Sequence, residues 1–267
     1  MALTVSIVTP TLNAAAHLRG CIESVRTQGE AGVEAEHIIV DGGSIDGSVD
    51  IGREAGCRII QGKDSGIFDA INKGNYAAAG HLIGFLGADD RLLPSAFSAL
   101  SAWYKIKKSE WVTGPVLWTG ANGESLGVLR PPPPSIPVQM YASLGWSCIP
   151  HMSTYFTPAF FNAVGGFDIS YRVAGDYDFF ARALQIEKPD TVKRPLATFT
   201  RHGGNASMAD SPRVRGEIQQ IASRYASPSK YRRRTERLLL KVWLNAMNPG
   251  WAGHKLVGRL QLKRGLR

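Results

Sequence analysis

Cysteine is scarce in this chain. Cys21, Cys57 and Cys148 are its only three. They are odd in number, scattered and without a C-x-x-C spacing, which argues against a disulfide framework and points to reduced residues used for packing, as in a cytoplasmic protein. Long apolar runs are missing too: no window approaches the roughly 18 uninterrupted apolar residues of a membrane-spanning helix. Met1 passes straight into the strand-like LTVSIVTP, without the charged and then apolar leader of a secretory signal. Acids are nearly absent from one region only. From Pro228 to Arg267 there are eleven Lys and Arg against the single acid Glu236, a local charge of +10, whereas the preceding 227 residues hold twenty bases and twenty-one acids and come to −1. The net charge of +9 therefore describes the tail, and that asymmetry points to an anionic surface as partner, membrane headgroups or nucleic acid.

What is present suits one large α/β domain with an appendage, since 267 residues suffice for a sizeable core. The first hundred residues alternate. VSIVTP (5–10), HIIV (37–40), CRIIQG (57–62) and HLIGFL (81–86) read as strands; 14–27, 48–56 and 67–80 read as helices between them. Short β-rich runs separated by helical patterns imply a mostly parallel sheet flanked by helices. In such sheets ligands sit outside the carboxyl ends of the strands. Three polar clusters fall there: Pro10-Thr11-Leu12-Asn13, Asp41-Gly42-Gly43-Ser44 and Ala88-Asp89-Asp90. Beyond Asp90, 92–106 reads as a helix and WVTGPVLWTG (111–120) as a strand with a turn at Ala121-Asn122-Gly123. Pro131–Pro134 form a stiff, irregular segment, and 157–168 and 175–185 read as helices around Gly-Gly-Phe-Asp.

In IGFLGADDRL (83–92) two adjacent carboxylates follow an apolar run. Such a pair repels itself and is costly to desolvate unless a cation, hydrogen bonds or water hold it. Gly-Ala-Asp-Asp after a strand is also ordinary turn chemistry, so the pair alone leaves both readings open. Asp69, Asn72 and Lys73 share a helix face at i, i+3 and i+4; a ligand or a routine Asp69–Lys73 ion pair would both explain them. Asp176 and Asp178 point to different sides of a helix, and Asp178 has Arg182 at i+4 as a natural partner.

SIVTPTLN (6–13), IIVDGGSIDGS (38–48), KDSGIFDAINKG (63–74), LIGFLGADD (82–90), GGFD (165–168) and AGDYDFFARAL (174–184), taken in that order, resemble the inverting family 2 glycosyltransferases with the GT-A fold, in particular the bacterial group that builds capsule, exopolysaccharide or O-antigen. The resemblance covers about residues 4–205. It implies a GT-A-type domain over 1–227, divided into a nucleotide-binding half (1–110) and an acceptor half (111–227), followed by a basic helical extension (228–267).

The same resemblance implies roles. A nucleoside diphosphate sugar, expected to be a UDP-sugar, would be framed by Pro10, Thr11, Asn13 and Asp41, with Lys63, Asp64, Asn72, Lys73 and Asp89 as further nucleotide contacts. Asp90 would hold Mn2+ or Mg2+, which neutralises the departing diphosphate, with His202 as an additional ligand. Gly203, Gly204, Asn205 and Ser207 would form a loop over the phosphates, with Arg201 adding charge. Asp176 would be the base for the acceptor hydroxyl, and His151 would lie near the acceptor. Two departures stand out: Gly87 replaces the first acid of the family's DxD-type motif, and Gly175 the acid before its base. They keep alive a non-catalytic nucleotide-sugar-binding or scaffold protein of the same fold. A sugar-1-phosphate nucleotidyltransferase fits less, because SIVTPTLNAAAHLRG lacks a Gly-rich phosphate loop.

In the tail, Leu239, Val242, Trp243 and Ala246 fall at helical spacing with Lys and Arg beside them. A basic amphipathic helix with Trp reads as interfacial membrane binding, which suits an acceptor carried on a polyprenyl diphosphate at the cytoplasmic face; packing on the body would explain the same pattern. Nucleic acid is not expected, since no reader motif accompanies the charge.

Overall fold

The computed structural model describes residues 2–28, 32–202 and 211–254. Its first half has the expected alternation: β1 (Leu3–Thr11), α1 (Ala15–Arg26), β2 (Val33–Asp41), α2 (Ser48–Glu54), β3 (Arg58–Gln61), α3 (Ile67–Ala77) and β4 (Leu82–Phe85). β1 runs parallel to β2 and β4, and β2 parallel to β3, so all four strands end on one edge. Val5, Ile7, Val8, Ile38, Ile39 and Val40 are at most 2% exposed. Burial of both sheet faces is what such unbroken β-branched runs require. α3 reaches this sheet through Gly74, where a Cβ would lie 2.3 Å from Val8 Cγ1. That glycine, costly to a helix by about 1 kcal/mol, is the condition of close packing.

The second half is more broken. It holds β5 (Arg91–Leu92), α4 (Ala96–Tyr104), β6 (Trp111–Thr113), β7 (Val116–Gly120), β8 (Ser125–Leu129), α5 (Val138–Ser143), β9 (Thr154–Phe156), α6 (Pro158–Val164), α7 (Gly175–Ile186), β10 (Asp190–Thr191), β11 (Ala197–Arg201), α8 (Pro212–Tyr225) and α9 (Lys230–Met247). The main sheet has seven strands in the order β10-β6-β9-β4-β1-β2-β3; β9 alone runs against its neighbours. A second sheet, β5-β11-β7-β8, was not expected. It arises because 111–120, read as one strand, changes sheet at Gly114-Pro115. Gly114 N–H donates to Ser153 O at 2.8 Å, a Cβ on Gly114 would lie 2.7 Å from Val192 Cγ2, and Pro115 has no N–H to continue a ladder.

Aromatic rings join the two halves, Phe68 and Phe85 of the first each meeting Phe167 of the second at 5.5 Å, and further rings pack the second half. Trp111, fully buried, stacks between Phe160 and Phe180 at 5.7 and 6.0 Å, and Phe167 stacks on Phe179 at 4.4 Å. Each such buried ring stabilises the fold by about 1.5–3 kcal/mol. α8, not anticipated from the sequence, starts on Ser211, whose hydroxyl accepts from Val214 N–H, with Pro212 in its first turn. α9 packs on the body through Leu240 and Leu244. Trp251, beyond it, meets Trp118 and Trp146 at 5.9 and 5.8 Å. Of the stripe read in the tail, Trp243 turns to the core, while Leu239 and Val242 stay 55% and 59% exposed. Among the described residues no helix is long and apolar enough to cross a membrane; 255–267 lie outside them.

Candidate active site

At the end of β1, Pro10 is half-buried and Thr11 buried. Asn13 follows with φ 50, alone among the described non-glycine residues in having a positive φ. Its N–H donates to Ser44 Oγ at 2.8 Å and its Oδ1 accepts from Ile45 N–H at 3.0 Å, tying the loop after β1 to the loop after β2. Asp41 ends β2 fully buried. Its Oδ1 accepts from Gly43 and Ser44 N–H at 3.0 and 2.9 Å, whereas Oδ2 is buried with no partner. Such an oxygen costs about 1–3 kcal/mol, and a donor on a ligand would relieve it. Asp64 comes over from the loop after β3: its Oδ1 accepts from Gly66 N–H at 3.0 Å, and its Oδ2 lies 2.5 Å from where a Cβ on Gly42 would stand.

The remaining residues of that cluster hold the protein to itself. Asn72 bonds Phe167 twice, Nδ2 donating to its carbonyl at 2.8 Å and Oδ1 accepting from its N–H at 2.9 Å. Lys73 Nζ donates to Lys63 O at 2.8 Å and pairs with Asp69 at 3.1 Å. The Lys63 side chain is exposed.

Asp89 and Asp90 sit where the two sheets meet. Thr200 of β11 bridges them: its N–H donates to Asp90 Oδ1 at 3.0 Å and its hydroxyl to Asp89 O at 2.8 Å. His202 Nε2 lies 2.7 Å from Asp89 Oδ2. Arg91 holds the turn from behind, donating to Asp90 O at 2.7 Å and His17 O at 3.1 Å. Burial first, and the neighbouring Asp89 charge second, push the Asp90 carboxyl well above the usual carboxylate range. Gly87 now has a physical reason. A Cβ there would lie 2.7 Å from Asp89 Oδ1 and 3.1 Å from Asp90 Oδ2. Both oxygens thus face the space above Gly87, and a side chain in that position would have to push them aside. Among the described residues no three acids, His or Cys form a ready-made metal cage. The two facing carboxylate oxygens nevertheless fit a hard cation whose shell is completed by phosphate oxygens and water, the usual Mg2+ pattern. Residues 203–210, including the expected phosphate loop, lie outside the described residues.

Near the end of β4 Asp176 opens α7. Its Oδ1 accepts from Tyr177 N–H at 2.8 Å, and its Oδ2 lies 3.6 Å from His151 Nδ1. His151 stacks flat on Phe85, with centroids 4.5 Å apart. A Cβ on Gly175 would lie 2.6 Å from the Phe68 ring, so the second departure also has a steric cause. Asp178 points inward, 1% exposed, to Arg182 at 2.8 Å and to the Tyr225 hydroxyl at 3.3 Å. Glu217 of α8 accepts from the N–H groups of Arg172, Val173 and Ala174 at 2.9, 3.0 and 2.9 Å, setting the entry to α7. Thr200, Arg91, Phe85 and Glu217 are the supporting residues that sequence reading missed. Arg91 alone carried a signal, as the base directly after the acid pair.

A two-sheet α/β body with acids gathered at one strand edge is the arrangement of GT-A glycosyltransferases. Residues 6–159 match the model of glycosyl transferase family 2, and the chain belongs to that family. An uncharacterized glycosyltransferase of Mycobacterium tuberculosis H37Rv is 33% identical over 229 residues, 82% of each chain. A PGL/p-HBAD biosynthesis glycosyltransferase of Mycobacterium bovis BCG is 31% identical over 211 residues, 74% of this chain and 77% of that one. Among solved structures, S. aureus TarS 1-349 in complex with UDP-GlcNAc aligns with TM-score 0.65 at 17% identity, over 88% of this chain and 70% of that one. Against a longer TarS chain the match spans 42% of that chain. The mannosyltransferase PcManGT of Pyrobaculum calidifontis, in complex with GDP-Man and Mn2+, aligns with TM-score 0.59 at 14% identity, over 97% of this chain and 76% of that one. At these identities the structures show the shared fold. The protein is a glycosyltransferase, an enzyme of the transferase class.

Proposed function

We propose that this enzyme transfers a sugar from a UDP-sugar, with inversion at the anomeric carbon, to a saccharide acceptor carried on a polyprenyl diphosphate, in bacterial polysaccharide assembly. The observation that carries the reading is the unmatched acid at the strand edge: the orphaned Asp41 Oδ2, at the same sheet edge as the facing carboxylates of Asp89 and Asp90. Asp41 would accept from the base or ribose, with Pro10, Thr11, Asn13 and Asp64 framing the nucleotide. Lys63 would meet phosphate, and Asn72 and Lys73 would support that wall through the bonds they already make. The complex of TarS with UDP-GlcNAc supports a UDP donor, and the PcManGT complex with GDP-Man makes GDP the competitor to test.

Asp90, with Asp89 and His202, would hold Mn2+ or Mg2+, which when bound neutralises charge growing on the diphosphate. Asp176 would take the proton of the acceptor hydroxyl, whose oxygen bonds the anomeric carbon. The bond from that carbon to the diphosphate oxygen breaks, and its electron pair leaves with UDP. One in-line displacement inverts the centre.

The outer face of α9 supports peripheral attachment to the inner face of the cell membrane. Tyr231, Leu238, Leu239 and Val242 are 82%, 63%, 55% and 59% exposed there, with Arg234 and Lys241 alongside. Apolar side chains between cations suit an anionic bilayer surface. Flotation with phosphatidylglycerol vesicles checks this: Leu239→Glu with Val242→Glu should abolish binding, and equal binding by the variant would sink the attachment.

Calorimetric titration of UDP, GDP and dTDP, with and without Mn2+, tests the donor site in the wild type and Asp90→Ala. Mn2+-dependent binding of UDP, lost in the variant, is expected. Binding of GDP alone would reassign the donor, and binding indifferent to Asp90 would remove the cation from the reading.

A further inference from the structure

His151 and Asp176 meet near the end of β4 from different elements, His151 from a 3-10 turn before β9 and Asp176 from the first turn of α7. Nδ1 and Oδ2 are 3.6 Å apart, and both side chains remain partly open to solvent, at 25% and 20%. Each is restrained from its other side. The imidazole lies against Phe85 with ring planes 4° apart, so it cannot swing without losing that stack. Asp176 spends Oδ1 on Tyr177 N–H, and Oδ2 is left facing the imidazole. Glu217 anchors the backbone just before α7, so the carboxylate does not drift with a loose helix end. Where the family resemblance implies an acid before the base, the Phe68 ring takes the room at Gly175. Among the described residues the ion-pair partner of Asp176 is an imidazole.

We propose that His151 is the positioning residue of the base: its Nδ1–H directs Asp176 Oδ2 toward the acceptor hydroxyl, and Phe85 fixes the ring that does so. This rests on Asp176 being the base. In the step, the hydroxyl proton passes to the free lone pair of Oδ2, the oxygen–carbon bond forms, and the pair from the breaking carbon–oxygen bond departs on the diphosphate. His151 gains and loses nothing; it supplies direction. Apo contacts of this kind are commonly long and tighten with substrate.

Two measurements on the full chain test it. The first reads the imidazole 15N shifts of His151 at alkaline pH, assigned by their absence in His151→Asn. The Nδ1–H tautomer should dominate in the wild type and give way in Asp176→Ala to the Nε2–H form that free histidine prefers. An Nε2–H wild type overturns the proposal. The second measures UDP release from UDP-GlcNAc, with water in the acceptor's place. His151→Ala should lower kcat on the order of 10²-fold, the usual result of a misplaced catalytic group, with KM for the donor held within about twofold. His151→Asn, whose Nδ2 can stand where Nδ1 did, should recover most of the loss. An unchanged kcat in His151→Ala, equal loss in both variants, or a matching rise in KM would each overturn it. The reading of Asp176 fails separately, by Asp176→Asn retaining turnover, and the tautomer result does not depend on turnover at all.

Discussion

Acids in the two halves of this molecule live under opposite conditions. On the helical side the buried ones are saturated, and Asp176, partly open to solvent, is not among them. Glu217 accepts three backbone N–H groups, Glu236 takes Ser143, Ser227 and Arg232, and Asp178 is closed by Arg182 and Tyr225. At the strand edge they are left wanting. Asp41 keeps a buried oxygen without a donor, and Asp90 is buried beside a like charge. Buried carboxylates are costly unless fully paired. The saturated ones therefore serve the fold, and the wanting ones mark where a ligand completes the protein.

The comparison breaks most sharply at Asp90. Asp90→Asn should cut sugar transfer by about 10³-fold or more, the scale of losing a preorganised charge contact, while thermal unfolding occurs at an equal or higher temperature. A drop in both would place Asp90 with the saturated acids. The next largest effect concerns a half-buried base within β2 of the same sheet. Burial pushes the His37 imidazole down to about 4 from 6.5, with Thr9 on one nitrogen and no partner on the other. The unfolded chain takes up a proton that the folded one refuses, so this contribution is full above the unfolded value and lost as pH falls through 6.5 toward 4. The loss amounts to roughly 3 kcal/mol at the acid end. Urea unfolding across that window should show it, and His37→Leu should flatten the slope; a parallel slope in the variant refutes the assignment. The smallest effect is on the saturated side. Glu217→Gln can satisfy fewer of the three N–H groups and should cost about 1–2 kcal/mol, read as a lower urea midpoint with unchanged steepness. A neutral result would mean that the entry to α7 is held elsewhere.

These contrasts were unevenly legible in the sequence. Pro10–Asn13, Asp41 and Asp89–Asp90 were visible because each follows a strand with buried β-branched residues, and parallel strands bring their ends to one edge. Asp178 with Arg182 was readable from helical spacing. The second sheet was not, since β5 has 2 residues and the switch at Gly114-Pro115 interrupts a continuous apolar pattern. Gly87 and Gly175 looked like losses from a motif; only the facing oxygens and the Phe68 ring explain them. Asn72 and Lys73 looked poised for a ligand because spacing places side chains on a face, and cannot reveal that Phe167 and Lys63 take their bonds. Glu217 acts through main-chain amides remote in sequence, for which no pattern exists.

The bridge made by Thr200 has a consequence for how the molecule breathes. β5 and β11 pair antiparallel, so the turn bearing Asp89 and Asp90 is stitched into the smaller sheet while β4, just before it, belongs to the larger one. A fluctuation that pulls the turn from the smaller sheet must strip the Thr200 amide from Asp90 and its hydroxyl from Asp89 at once. The acid pair is thus a rivet between two cooperative units. Anything that binds there clamps both sheets together, and amide exchange along β11 and on into β7 should slow well beyond the residues at the site.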